Sequence, residues 1–206
     1  MAYEELKSSG ITANTPENIM LGAGTIHKGF QLVNVAEEGQ TPEYRWNFAD
    51  SLIGATSGGS KVSIVPEVTD IEVDGALVAV KGLRVKTGEK ASLEVNFVEM
   101  TPELLAMTTI GKVNETAADY TGYSEIVSKA RIEEGDYIEN FAYVGKKTDG
   151  TPVIIIFEQC ICTSGLEIEG KNKEAGTFKG TFECVADITP EADTLPWHIL
   201  YPKAQG

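Results

Sequence analysis

The sequence predicts a mainly β fold, an antiparallel β-sandwich or partial barrel flanked by one short α-helix, with an extended loop and two terminal arms. Three observations carry the prediction. Apolar and polar residues alternate strictly in two segments, Asp-Gly pairs separate apolar runs, and a 206-residue chain that is 42% hydrophobic holds 21 glycines. In residues 91–97, Ala91, Leu93, Val95 and Phe97 share one face while Ser92, Glu94 and Asn96 take the other. Residues 178–186 repeat the pattern with Phe178, Gly180, Phe182, Cys184 and Ala186 against Lys179, Thr181 and Glu183. A period of two with one wet face is the mark of antiparallel strands over a core.

Turn chemistry places the hairpins. Asp74-Gly75 separates Ile71–Val73 from Leu77–Val80, and Asp149-Gly150 separates Tyr137–Lys147 from Val153–Cys162. Asp-Gly supplies the positive φ angles of a tight hairpin. Lys86–Lys90, centred on Gly88, reads as a third, looser turn. Val153–Phe157 is apolar on both faces, so this strand is expected to be covered by the opposite sheet and by a helix or a neighbouring subunit.

The flanking helix begins at Thr101, a favourable N-cap, with Pro102 at the first helical position and Glu103 at the positive end of the dipole. Leu104, Leu105 and Met107 give it about two turns before Gly111. A second short helix is expected around Tyr123–Ala130. Residues 1–17 read as an N-terminal arm, 18–186 as a β-sandwich core carrying loop 36–60, and 187–206 as a C-terminal arm with prolines at 190, 196 and 202.

Charge and composition exclude several functions. The net charge is −14, and acidic residues outnumber basic ones in every section of the chain. Affinity for nucleic acid rests on Lys and Arg neutralising phosphates, so DNA is expected to be repelled. Residues 1–10 have neither a basic nor an apolar signal region, and the longest apolar run is far below the ~20 residues of a membrane span. The expectation is a chain that starts in a cytoplasm, its three cysteines serving as small apolar residues.

The search for chemistry returns no catalytic, metal or cofactor site. His27 and His198 stand apart from any second ligand at metal spacing, and Cys160 and Cys162 lack the further Cys or His of a zinc tetrahedron. Gly54 and Gly59 have the gap of a phosphate-binding loop, but Ser60 stands where Lys must be, and the following residues alternate like a strand. Residues 54–60 therefore read as a flexible loop. Gly22-x-Gly24 lacks the third glycine and the helix behind it. No Gly-x-Ser-x-Gly elbow occurs, and no Ser or Cys is paired with a plausible His.

The arms carry the functional signal. The C-terminal arm holds Trp197, Ile199, Leu200 and Tyr201; the loop 36–60 holds Tyr44, Trp46, Phe48 and Leu52. Large apolar groups on extended segments need a partner surface, and aromatic residues commonly dominate interfaces. These eight residues are expected at a subunit interface, in head-to-tail association that closes into rings or propagates into tubes; the alternative is that the C-terminal arm folds back on its own sandwich.

The run Val62–Met100 contains Pro66-Glu67-Val68-Thr69-Asp70-Ile71-Glu72-Val73-Asp74-Gly75, then Lys81-Gly82-Leu83-Arg84-Val85 and Ala91-Ser92-Leu93-Glu94-Val95-Asn96-Phe97. Together with Gly176-Thr177-Phe178-Lys179-Gly180-Thr181-Phe182-Glu183, it resembles the major tail tube protein of long-tailed, non-contractile bacteriophages and prophages. The resemblance covers residues 18–190 through diffuse strand patterns. It implies a tail-tube fold, six copies to a ring whose inner sheets form one β-barrel, and rings stacked into a conduit for DNA. It implies that residues 36–60 form the ring-stacking loop. The implied partners are further copies of the chain and other tail proteins such as the tape measure and terminator. It implies that DNA passes through the lumen without specific binding, and no membrane or cofactor is expected. The implied location is the virion tail, assembled in the host cytoplasm. An acidic lumen would repel phosphate over a Debye length of ~8 Å at physiological salt. The competing reading is a monomeric carbohydrate- or host-binding β-sandwich with Tyr44, Trp46 and Trp197 as its platform. A β-sandwich enzyme using two carboxylates is a third.

Overall fold

The computed structural model describes residues 10–37, 40–75, 77–115, 120–170, 172–188 and 194–203. The fold is mainly β and antiparallel. Its strands are β1 (Met20–His27), β2 (Leu32–Asn34), β3 (Tyr44–Trp46), β4 (Thr56–Asp70), β5 (Arg84–Phe97), β6 (Gly111–Asn114), β7 (Glu125–Ser128), β8 (Ile138–Lys147), β9 (Pro152–Cys162), β10 (Glu167–Glu169), β11 (Thr177–Cys184) and β12 (Trp197–Leu200). Helices α1 (Thr15–Asn18) and α2 (Pro102–Thr109) complete it, with a 3₁₀ turn at Glu134–Asp136.

The main sheet runs β1-β8-β9-β11-β5-β4, with β10 beside β11 and β12 beside β9. It curls back on itself. His27 bridges Leu52, and the Ile53 amide donates to the Ile26 carbonyl at 3.2 Å, so the chain entering β4 returns to β1. The two alternating segments behave as read. Ala91, Leu93, Val95 and Phe97 of β5 and Phe178, Phe182 and Cys184 of β11 are all buried in one core with Phe141, Phe157 and Cys160. Phe141 and Phe182 meet at 4.5 Å between ring centroids, and Phe97 stacks on Phe178 at 5.2 Å.

Strand β9 is covered on both faces, as its composition requires. Phe157 and Cys160 face the main core, while Ile154 and Ile156 face a second cluster with Phe30, Ala142 and Val144. That second cover is neither a helix nor another subunit. It is the chain's own segment around β2 and β3, with Trp46 packed on it.

Helix α2 forms where its cap predicts, the Thr101 hydroxyl accepting from the Leu104 amide at 3.2 Å. Leu104 enters the main core, and Thr108 sits against Gly180, where a Cβ would lie 2.9 Å from the Phe182 ring. Glycine at 180 leaves room for the Phe182 ring beside it.

Four expectations are corrected, and a fifth lies mostly outside the described residues. Residues 123–130 are not a helix: β7 pairs with β6 over Glu125–Ser128, because Ile126-Val127 opposite Lys112-Val113 satisfies a ribbon. The N-terminal arm contains α1 at its end; its first nine residues lie outside the described set. The Gly-rich residues 56–60 begin β4, and Gly58 and Gly59 at φ of 78° and 85° absorb a bulge opposite β5. Lys86–Lys90 is not a turn but mid-strand, with a bulge at Thr87 where Glu67 pairs with Gly88 and Val68 with Lys86. Asp74-Gly75 does form a turn, but Ile71–Val73 and Leu77–Val80 are not strands; the described residues between β4 and β5 form a connection without strands. The Asp149-Gly150 hairpin joins β8 and β9 as expected. The Thr151 hydroxyl and amide, with Lys147, hold the Asp149 carboxyl down to about 2.

Candidate functional site

The eight residues expected at an interface divide into two groups. In the first, Trp46 stacks flat on the buried Phe30 at 4.9 Å, and Phe48 tilts against the same ring at 5.4 Å. Tyr44 and Leu52 point outward and are more than half or half exposed, at 62% and 50%. The loop is therefore anchored by its inner aromatics and presents its outer ones. In the second group, β12 docks on β9, pairing Trp197 with Phe157, Ile199 with Ile155 and Leu200 with Ile154. Trp197 packs on the main core, and its indole N–H donates to Glu89 at 3.1 Å. Ile199, Leu200 and Tyr201 stay exposed. The Tyr201 hydroxyl donates to Asn18 Oδ1 at 2.9 Å, and the Lys147 ammonium lies 5.4 Å from its ring centre.

The C-terminal arm thus folds onto its own sheet and offers its outer side chains beyond it. Trp46 and Trp197 pack on different clusters, which lie on opposite faces of β8 and β9. They do not share one flat aromatic platform.

Further apolar exposure lies elsewhere, on the β4–β5 hairpin. Strand β4 and the first half of β5 form a ribbon that runs past the core, held by the Arg84–Asp70 fork at 2.7 and 2.8 Å. Beyond it, Ile71, Val73, Val80, Val78 and Leu77 are exposed, the last two at 77% and 98%. An apolar surface of this kind, spread over one projection, marks an interaction site. Sequence reasoning missed it by treating these residues as strands facing a core. The available signal was the absence of polar alternation in Leu77–Val80, in a stretch with only one Asp-Gly turn.

A second arrangement escaped the sequence. Although 24 positions apart, Ser51 Oγ and His27 Nδ1 lie 2.9 Å apart, and Thr25 Oγ1 sits 2.8 Å from Nε2. Ser51 also donates to the Asn47 carbonyl at 2.6 Å. Its proton is thus committed, so Nδ1 donates to Ser51 and the Thr25 hydroxyl donates to Nε2. His27 is 2% exposed, and this network locks segment 47–52 onto β1.

Burial pushes the His27 imidazole below its ordinary value. The unfolded chain then binds a proton near pH 6.5 that the folded chain does not, so stability falls as pH drops below that point. The slope is at most about 1.4 kcal/mol per pH unit for one proton. His27→Gln should flatten this part of the profile, as denaturant melts between pH 5 and 7 will read.

The open cleft between α2 and residues 50–56 is lined by Lys28, Asp50, Glu99 and Glu103. Lys28 pairs with Glu103 at 2.5 Å, and Glu99 accepts the Ala55 amide at 3.0 Å. Among the described residues, no three His, Cys, Asp or Glu side chains converge as a metal site, and no helix is long and apolar enough to cross a membrane. His198, apart from other ligands in sequence, lies 2.7 Å from Glu158 Oε1 on the exposed side of β12. No family model and no curated protein matches the chain.

Proposed function

We propose that this chain is a structural, non-catalytic subunit that assembles with copies of itself into stacked hexameric rings, the tube of a bacteriophage tail. The observation that carries the reading is the β4–β5 hairpin, a ribbon extending past the core with Ile71, Val73, Leu77, Val78 and Val80 exposed along its end. A second copy is the occupant this apolar projection suits, because a projection on one side meeting a surface on another side makes a head-to-tail contact that closes into rings. Tyr44 and Leu52, held outward by the Phe30–Trp46 anchor, serve contact between rings, and Ile199 and Leu200 add apolar surface on β12. The resemblance of residues 62–100 and 176–183 to tail tube proteins supports the same assembly. In that tube the tape measure and terminator are the further partners. DNA crosses an acidic lumen without specific binding, and the place of action is the virion after assembly in the host cytoplasm.

Negative-stain microscopy of concentrated protein tests the reading. Rings with sixfold symmetry, alone or stacked, are the expected result. Dispersed particles of monomer size that bind glycans would replace it with the carbohydrate- or host-binding alternative.

A further inference from the structure

All three cysteines are free and buried, but two of them meet across a ladder. Cys160 of β9 and Cys184 of β11 are direct partners in the antiparallel register. The Val185 amide donates to the Gln159 carbonyl at 3.0 Å, and the Thr163 amide donates to Thr181 at 2.8 Å. Those flanking positions are the hydrogen-bonded pairs, so by alternation Cys160 and Cys184 occupy a non-hydrogen-bonded pair. Such pairs bring Cα atoms to about 4.5 Å, inside the span of roughly 4.4–6.8 Å that a disulfide bridges. Cys162 is placed differently: its partner is Phe182, and its sulfur lies 3.7 Å from the Ser164 hydroxyl.

We propose that Cys160 and Cys184 form a latent dithiol site that a small-molecule disulfide, such as oxidised glutathione, converts to a cross-strand disulfide, leaving Cys162 as a thiol. Cys184 is the entry point. It is 7% exposed against 0% for Cys160, and it ends β11, where the chain leaves the sheet. Its S–H donates to the Pro196 carbonyl at 3.8 Å, and Leu195 and Trp197 of the arm pack on the cluster that contains it. When the arm opens locally, the Cys184 thiolate attacks one sulfur of the reagent and expels a first small thiolate. The Cys160 thiolate then attacks the Cys184 sulfur of the mixed disulfide and expels the second. Two protein thiols are oxidised, one small disulfide is reduced to two thiols, and the two protein protons end on those thiols. Burial pushes the Cys184 thiol up to about 12 and raises Cys160 well above its ordinary value, so the reaction is slow and gated by opening of the arm.

The test uses the full chain, folded, in excess oxidised glutathione, followed by acid quench, alkylation in denaturant and peptide mapping by mass spectrometry. A Cys160–Cys184 linked peptide pair is expected, with Cys162 alkylated, together with a rise in melting temperature that dithiothreitol reverses. Cys162→Ser should give the same crosslink, and Cys184→Ser should give none. Three alkylated thiols after prolonged exposure would overturn the proposal. So would a glutathione adduct that persists on Cys184, or a main crosslink that includes Cys162.

Discussion

Replacing Leu77 and Val78 together with aspartate should abolish self-association while leaving the monomer folded. At 98% and 77% exposure these side chains contribute almost nothing to the monomer, so unfolding free energy should change by no more than about 0.5 kcal/mol. Buried against a second copy, each would contribute about 1.5–3 kcal/mol, and a carboxylate in its place would carry a desolvation cost as well. The combined loss is at least about 3 kcal/mol per contact, more than 100-fold in the association constant. Sedimentation equilibrium beside far-ultraviolet circular dichroism separates association from folding. A variant that assembles like the parent chain would remove the hairpin from the interface.

Trp197→Ala should instead act on the monomer. Strand β12 is part of the main sheet, and Trp197 packs on the main core opposite Phe157 while donating to Glu89 at 3.1 Å. Full burial of a Trp makes its truncation cost about 3–5 kcal/mol; partial burial here reduces that to about 2–3 kcal/mol. Lys86 and then the indole N–H also hold the Glu89 carboxyl below the usual carboxylate range. Urea unfolding of the variant reads the effect directly. An arm that only served neighbouring subunits would show no loss in dilute monomer.

This contrast separates what was legible in the sequence from what was not. Period-two patterns at 91–97 and 178–186 were decisive because each strand has one face on the core, and the buried set Leu93, Val95, Phe97, Phe178 and Phe182 follows from them, although β11 ends at Cys184, before Ala186. Helix α2 was readable from its cap alone, since Thr101, Pro102 and Glu103 each satisfy a local requirement. Segment 123–130 was not readable. A short two-stranded ribbon depends on its partner β6, and no local signal reports that pairing. Gly58, Gly59 and Gly88 were taken as loop or turn residues, whereas the structure uses them beside bulges within long strands. The pairing of His27 with Ser51 was hidden for a topological reason: the chain before β4 returns to β1, and nothing near either residue announces it.

The candidate interface was half legible. Large apolar residues on segments without periodicity marked 44–52 and 197–201 as surfaces seeking a partner. Trp46 and Trp197 proved to be anchors within the chain, leaving Tyr44, Leu52, Ile199, Leu200 and Tyr201 outward. The hairpin end was missed because Ile71–Val73 and Leu77–Val80 have the composition of strands, and only the three-dimensional path shows that no core lies beneath them.

Sedimentation velocity of the unmodified chain, from micromolar to hundreds of micromolar at neutral pH, addresses the central claim most directly. A concentration-driven shift from monomer to a sixfold species, with larger stacked assemblies above it, is the predicted result. A single boundary at monomer size across the whole range would contradict it.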